Sequence, residues 1–386
     1  MASNKNTFDV IVIGVGSMGS ATCYYLASKG LKVLGLEQFE IPHTLGAHGG
    51  QSRIIRKAYF EHPDYVPLLE RAYQNWAHLE EMSGAKVFYR TGLVYFGEQD
   101  NELMKGIRLS ANEYNIHIEA LNGQASASKH PQFDIPSSFD TIFEPDAGFI
   151  LPEKTISLYY ELALRAGASI KTRIKVDSWK DEGGGISVSA NGQSYKAEKL
   201  IITAGAWTKQ MVSSLRIPTT VHKQVITWVK PKDWSSFELS NFPCWVIAGP
   251  DYPGIFYGFP MLPAKNNYGE VGLKVAHHYP GEVIDPDTDT IEIPQEELEK
   301  LEAIMHKYLP GTFDGFLNVK TCKYTQTPDE HFIIDKLPSH ENVIIGAGFS
   351  GHGFKFVPMV GEALSDLATV GKTDLPIGFL SASRKL

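Results

Sequence analysis

The sequence predicts an α/β chain, α+β overall, in which a parallel-sheet domain is interleaved with a second, mostly antiparallel β-sheet domain. Three observations predict it. At 386 residues the chain exceeds what one typical core holds, so two domains are expected. Both ends show a β-branched, apolar run passing into a Gly-rich turn: "FDVIVIGVGSMGS" from Phe8 and "NVIIGAGFSGHGFKF" from Asn342. Between them, from about Lys223 to Thr321, strand-like runs dominate, and no linker, repeat or low-complexity tract divides the chain. The domains therefore interleave, with 1–90, 145–215 and 320–386 in the first and 91–144 and 216–319 in the second.

The elements follow in order. Phe8 to Ile13 reads as a strand buried on both faces. Met18, Ala21 and Tyr25 then fall at helical spacing, and Gly30 supplies a stop. "KVLGLEQ" is the next strand, ending near Glu37. "HPDYVPLLERAYQNWAHLEEM" reads as a helix after Pro67, "FYRTGLVYFG" as one strand, and "NELMKGIRLSANEYN" as a helix. "TIFEPDAGFILPEKTISLYYELALRAGA" returns to a strand-loop-helix pattern. "SIKTRIKVDSWKDEGGGISVSANGQSYKAEKLIITAGAW" reads as a strand, a hairpin around its glycines, and a buried strand closing at Ala204 and Gly205. "VITWVK", "CWVIAG", "GIFYGFP" and "VGLKVAHH" are strands of the second domain, and one polar helix, "PQEELEKLEAIMHKYL", interrupts them. The last block is a strand, a Gly-rich turn and a helix, "VPMVGEALSDLAT".

Composition excludes several function classes. The 43% hydrophobic and 21% charged content and the 35 glycines are ordinary for a soluble α/β enzyme. A net charge of -8 argues against a nucleic-acid footprint and a polybasic membrane anchor. Cys23, Cys244 and Cys322 are too widely spaced for a disulfide framework or a zinc pattern, so no metal and a reducing compartment are expected. "MASNKNT" is no charged-then-apolar leader, and no apolar stretch reaches spanning length. The end, "SASRKL", resembles a peroxisomal tail only loosely, since the third-last residue is not small. The expected location is cytoplasmic.

Gly14, Gly16 and Gly19 form G-x-G-x-x-G, with Ser17 and Met18 opening the helix. Such glycines serve a tight turn, close backbone approach to a pyrophosphate, and close helix–strand packing. The helix N-terminus then faces the phosphates with partial positive charge. Alone the motif is weak. Here it follows a strand, opens a helix, and has Glu37 at the end of the next strand, 18 residues past Gly19, where a carboxylate can accept hydrogen bonds from a ribose diol. The reading is a Rossmann-like dinucleotide site, which does not separate NAD from FAD. A second Gly-rich turn, around Gly351 and Gly353, can aim backbone N–H groups at an isoalloxazine carbonyl. Its plain alternative is helix–sheet packing.

Several residues read differently alone and in context. Cys322, alone, is a small packed hydrophobe. Arg53 and Arg56 lie three apart in "QSRIIRKAY" and would share a face on a helical turn, either solvated or, given Ile54 and Ile55 between them, a buried edge. In a strand, Lys274 of "GLKVAHH" shares a face with Gly272, Ala276 and His278; its plain reading is a snorkelling edge lysine. Lys355 of "GHGFKF", alone, is a surface lysine.

Together, "FDVIVIGVGSMG", "PHTLGAHGGQSRIIRKAY", "GIFYGFP", "GLKVAHH", "CKYTQTPDEHFIID" and "GAGFSGHGFKF" resemble the monomeric sarcosine oxidase family of flavin amine oxidases, which includes N-methyltryptophan oxidase and the sarcosine/pipecolate oxidases. The resemblance runs nearly end to end. It implies FAD in the nucleotide site, with Ser52, Arg53, Gly351, Gly353 and Lys355 beside it and Cys322 joined to the flavin 8-methyl group by a thioether. It implies that Arg56 binds a substrate carboxylate, a bidentate task suited to guanidinium, and that Lys355 is the second cation. Arg53 would assist flavin chemistry and attachment. Lys274 would lie over the flavin ring, its charge stabilising superoxide as O2 takes up the first electron. Tyr257 and His278 would line the amine site.

The chain also departs from that pattern. Relatives carry a His-His pair before the arginine turn, where this chain has His48 and Gly49, closer to the sarcosine/pipecolate branch. "CWVIAGPDYPG" differs too. The implied reaction is oxidation of a secondary amino acid, of the sarcosine type, to glycine, formaldehyde and H2O2. Alternatives are oxidation of L-pipecolate, proline or N-methyltryptophan, a dehydrogenase of the same fold with an acceptor other than O2, and a non-catalytic nucleotide-binding protein. The expected partners are the amino acid and O2, with no nucleic acid or membrane, and the expected state is a monomer.

Overall fold

The computed structural model describes residues 6–213, 215–263, 269–290 and 292–386. Residues 1–5, most of the stretch read for a leader, lie outside them. The first sheet is built on parallel strands. Thr7–Ile13 lies between Val33–Leu36 and Gln193–Ile202, Ser169–Lys171 flanks Val33–Leu36, and His340–Ala347 adds to Gln193–Ile202. Val176–Asp181 and Ile186–Ala190 extend one edge as an antiparallel meander, and Ile333–Leu337 pairs antiparallel with His340–Ala347. The apolar run from Phe8 to Ile13 is buried on both faces, as covered parallel strands require.

Helix Ser17–Ser28 and the last helix, Val357–Thr369, cover one face of this sheet. They meet at close range: a Cβ on Gly361 would lie 2.7 Å from the Ala21 Cβ. The Gly-rich turns that precede both helices line one cleft.

The second sheet has eight strands in the order Phe313–Gln326, Thr220–Pro231, Leu273–His278, Ile255–Gly258, Cys244–Ala248, Leu93–Glu98, Phe139–Glu144 and Glu119–Leu121. All pairs are antiparallel except Cys244–Ala248 with Leu93–Glu98. Strand Phe313–Gln326 crosses residue 320 and pairs with Thr220–Pro231 along most of its length. Helix Gln295–Tyr308 packs on this sheet through Leu301, Ile304 and Met305.

Two local expectations need correction. "FYRTGLVYFG" is not one strand. It splits into Phe88–Tyr89, in a small third sheet, and Leu93–Glu98, in the second. The break is Gly92, at φ +70, where a Cβ would lie 2.2 Å from the Phe143 ring. Arg53 and Arg56 do not share a helical turn. Arg53–Ile55 is a strand of the third sheet, paired with Gly148–Ile150, and Arg56 follows it as the chain turns away. Among the described residues no helix is long and apolar enough to cross a membrane, and no group of three or more His, Cys, Asp and Glu is placed to hold a metal ion.

Candidate active site

Two cavities meet between the sheets. The larger is a cleft of about 1200 Å³, counted to its open mouth. Gly14, Gly16, Ser17, Met18, Glu37, His48, Gly351 and Gly353 line it, so both Gly-rich turns open on one space. Three glycines of the first turn differ in what they avoid. A Cβ on Gly14, at φ +86, would sit 2.6 Å from Thr203 O, and one on Gly19 would sit 1.9 Å from Gly14 O. Those two are required by the chain itself. A Cβ on Gly16 meets nothing closer than the His48 ring at 3.8 Å. Packing does not demand glycine there, whereas a pyrophosphate drawn to the helix N-terminus does.

Glu37 is buried at the floor of this cleft. Its Oε2 accepts from Val15 N–H at 2.8 Å, within the glycine turn, and its Oε1 from Phe39 N–H at 3.0 Å. The carboxylate thus holds the turn, a task that the ribose reading left out. Gly351 and Gly353 are also structural. A Cβ on the first, at φ +78, would strike the Tyr324 ring at 2.4 Å, and one on the second would meet the Phe349 Cβ at 2.5 Å.

The smaller cavity, about 580 Å³ on the same count, shares Arg53, Tyr324, Gly351 and Phe354 with the cleft. Arg56, Glu61, His278, His352 and Lys355 supply its polar wall; Ile54, Phe60, Val246, Ile255 and Tyr257 supply the other. Strand register explains the grouping. Tyr257 pairs with Ala276, so Lys274 and His278 fall on the same face as Tyr257. Ile226 pairs with Ala276 and Gln224 with Cys322, which brings Cys322 and Tyr324 to that face as well. His278 Nδ1 lies 3.0 Å from the Tyr324 hydroxyl, and burial pushes the imidazole down to about 4, so it is neutral.

Lys274 is buried, and its Nζ donates to Gly50 O at 2.5 Å and Ser52 O at 2.7 Å. Burial, then the Arg53 charge, hold its pKa well below the lysine range. Arg53 itself donates to Ser52 O at 2.8 Å, and to Ala47 O and Gly49 O at 2.7 Å each. Lys274 and Arg53 therefore knit the 47–52 loop. Gly49 fits this loop tightly: a Cβ there would lie 3.0 Å from Thr44 O, so a histidine would need the turn at Thr44 to move. His48 is buried instead against His43, its Nε2 2.6 Å from His43 O. All three cysteines are buried. Burial raises Cys23 and Cys244 to about 12; it also raises Cys322, but there Arg53 and Lys274 pull toward the thiolate.

The polar wall contains one arrangement that the residue-by-residue reading missed. Arg56 Nη2 donates to both oxygens of Glu61 at 2.7 Å, and its guanidinium lies 4.4 Å from the ring centroids of Tyr59 and Phe60. Burial opposes the Glu61 charge, but Arg56, then His352 and Lys355, outweigh it and hold the carboxyl down to about 2. Lys355 has no such partner. Its Nζ donates to His352 O at 2.7 Å, and burial, then the Arg56 charge, lower it to about 7. His352 is held between the Tyr59 hydroxyl, 2.5 Å from Nδ1, and Glu330 O, 3.1 Å from Nε2. A ring nitrogen facing a carbonyl donates, so Nδ1 accepts from Tyr59.

The geometry is that of a dinucleotide cleft joined to a small cationic pocket. The family described as FAD dependent oxidoreductase matches residues 9–367. The chain belongs to the FAD dependent oxidoreductase family. This oxidoreductase is 39% identical to the monomeric sarcosine oxidase of Bacillus sp. (strain B-0618) over 383 residues, 98% of its own chain and 96% of the relative. It is 32% identical to the N-methyl-L-tryptophan oxidase of Yersinia pestis (strain Pestoides F) over 379 residues, 98% of its chain and 99% of the relative. Among solved structures it superposes on NikD, an unusual amino acid oxidase, with TM-score 0.86, 22% identity and 98% of each chain covered. The L-proline dehydrogenase of P. horikoshii follows with TM-score 0.84, 22% identity and 98% of each chain covered. These two show the fold. The resemblance to the monomeric sarcosine oxidase family and the α/β fold class are borne out. The cofactor of this oxidoreductase is FAD, and the space kept free at Gly16 fits it.

Proposed function

We propose that this oxidoreductase oxidises a secondary amino acid, sarcosine foremost, with O2 as the final acceptor. The observation that carries the reading is the convergence of Arg56 and Lys355 on a buried pocket that shares a wall with the FAD cleft. A ligand without a carboxylate would leave Lys355 unmatched there, a costly outcome for a buried cation. When bound, FAD supplies the two-electron acceptor for amine oxidation and passes the pair to O2. For sarcosine the resulting imine hydrolyses to glycine and formaldehyde, with H2O2 as the other product.

The chain's own residues have separable tasks. Arg56 and Lys355 hold the carboxylate and so aim the amine carbon at the shared wall. Neutral His278, beside the Tyr324 hydroxyl, and Tyr257 bound the amine and exclude water, which favours the amine's uncharged form. Lys274 holds its amine beside the 50–52 backbone, where the negative charge that O2 acquires would favour its protonated form. The glycine turn, with Ser17, Met18 and Glu37, takes the dinucleotide, while Ser52, Gly351 and Gly353 frame the flavin end. Cys322 carries the flavin covalently; the adjacent Arg53 charge favours the thiolate that such a link needs. The working unit is a cytoplasmic monomer with the interleaved two-domain division given above.

The apolar wall of Ile54, Phe60, Val246 and Ile255 favours a second substrate, a cyclic secondary amino acid such as L-pipecolate or proline. One experiment tests the covalent link and the substrate class. The absorbance of the purified protein is recorded before and after acid precipitation, and sarcosine, N-methyltryptophan and L-pipecolate are added to separate native samples, first without O2 and then in air. Yellow colour in the pellet, bleaching by one amine and appearance of peroxide are expected. Yellow supernatant would overturn the link at Cys322, and bleaching by none would overturn the substrate class.

A further inference from the structure

One flank of the FAD cleft is fastened by a segment of the second domain. The chain leaves strand Leu273–His278 and reaches helix Gln295–Tyr308 through an excursion tied to strand Thr220–Pro231. Lys223 N–H donates to Glu282 O at 2.8 Å and Ile284 N–H to Val221 O at 2.9 Å. A Cβ on Gly281 would lie 2.1 Å from Lys223 O, so only glycine allows this approach. Asp289 anchors the far end between Lys223 Nζ at 2.9 Å and Lys323 Nζ at 3.0 Å.

Between these anchors Asp287 reaches the first domain. Its Oδ1 accepts from Trp207 Nε1 at 2.7 Å, its Oδ2 from Gln210 Nε2 at 3.0 Å, and Lys175 Nζ lies 3.6 Å away. All three partners line the cleft. They lie at the Glu37 end, because Trp207 packs on the Phe39 ring at 5.3 Å and Phe39 N–H donates to Glu37. Ile284 adds an apolar contact to the Trp207, Ala206 and Val221 cluster.

We propose that Asp287 is a clasp, a positioning residue that holds this wall closed over the nucleotide half of FAD and so sets how long unlinked cofactor stays. One carboxylate serves an indole, an amide and an ammonium group from two separate stretches of the first domain, and bonds to a charged acceptor are the strong kind. The side chain is 41% exposed, so water can replace its partners without unfolding anything. The clasp therefore opens and recloses as a local event, and FAD passes while it is open. It acts during loading, before attachment at Cys322 makes retention permanent, and keeps the dinucleotide seated meanwhile. The inference rests on the cleft's being the FAD site and not on the identity of the amine.

The test uses a Cys322→Ala background, in which no thioether can form. Protein loaded with FAD is diluted and the release of flavin followed by its fluorescence. Asp287→Ala is expected to speed release about tenfold, and Asp287→Asn about threefold, since the amide oxygen still accepts from Trp207. Trp207→Phe removes the same bond from the other side, so the double variant should be no faster than the faster single one. The thermal midpoint of the FAD-free protein should not follow these rates. Release from Asp287→Ala at the parent rate would overturn the clasp, as would additive effects of the two single variants or a fall in the FAD-free midpoint that matches the rate change. A parent that binds no FAD would overturn the cleft assignment itself, a result distinct from FAD that binds and leaves at an unaltered rate.

Discussion

Under the proposed role of Lys355, carboxylate binding depends on pH in a way that the geometry specifies. The ammonium is buried, donates to His352 O at 2.7 Å, faces the Tyr59 ring at 5.2 Å and is repelled by Arg56, which together leave its pKa at about 7. A carboxylate placed beside it favours the charged form and raises that value. The sign follows directly. Below pH 7 Lys355 is already charged in the empty pocket, so affinity is level. Above pH 7 each binding event must also take up a proton, and affinity falls about tenfold per pH unit until the raised pKa of the complex is reached. Each pH unit of that fall corresponds to about 1.4 kcal/mol. Propionate is a suitable ligand because it carries no amine whose own titration would mix in. Its binding is read from the flavin absorbance between pH 6 and pH 9, and proton uptake from the buffer dependence of the heat of binding. In Lys355→Met the slope should vanish and affinity should be uniformly low. A level profile in the parent protein, or the same slope in the variant, would refute the assignment.

Three further outcomes are expected. Lys274→Met should slow reoxidation by O2 about 10²–10³-fold while anaerobic reduction by the amine changes by less than about tenfold, a split that stopped-flow absorbance measures. Glu61 titrates below its ordinary 4.5, at about 2, so its contribution is present above pH 4.5 and is lost as pH falls toward 2; it amounts to about 3 kcal/mol. Glu61→Gln should therefore destabilise the protein by that order at pH 7 and by little at pH 2, read from denaturant unfolding, and should raise propionate affinity about tenfold by freeing Arg56. Gly16→Ala should leave the thermal midpoint of the FAD-free protein within about 3 °C, given the 3.8 Å to its nearest neighbour, and sharply lower FAD content by absorbance.

The sequence was most informative where chemistry and periodicity coincide. The two strand–turn–helix blocks stand where the apolar runs place them, because parallel strands covered on both faces need unbroken β-branched residues. Alternation put His278 on the Lys274 face, and strand Leu273–His278 keeps it there. The same period of two, applied from Cys322, would have found Tyr324, whose hydroxyl meets His278. Glu61 was less accessible. It lies in the turn between strand Arg53–Ile55 and the short helix Pro63–Tyr65, where no period applies and an acid reads as solvated. Its pairing with Arg56 depends on how the chain bends at Ala58 and Tyr59, which local propensity does not encode. The helical spacing read into Arg53 and Arg56 failed for a related reason: pairing with Gly148–Ile150 decided that conformation. Gly49 is the reverse case, a residue noted as an absence that the Thr44 turn explains as a fit.

Under the proposed carboxylate role of Arg56, its pair with Glu61 turns substrate capture into an exchange. A free guanidinium in a basic pocket would collect whatever anion is abundant, and chloride, phosphate and acetate would all compete with the amino acid. Here an entering anion gains only the difference between its own contact and the two 2.7 Å bonds already made. For a bare anion that difference is small. A ligand that also fills the apolar wall and sets an amine beside His278 has further contacts to offer. At Arg56 the pocket thus discriminates by what a ligand carries beyond its charge, and the Glu61 carboxylate itself disfavours a bare anion there.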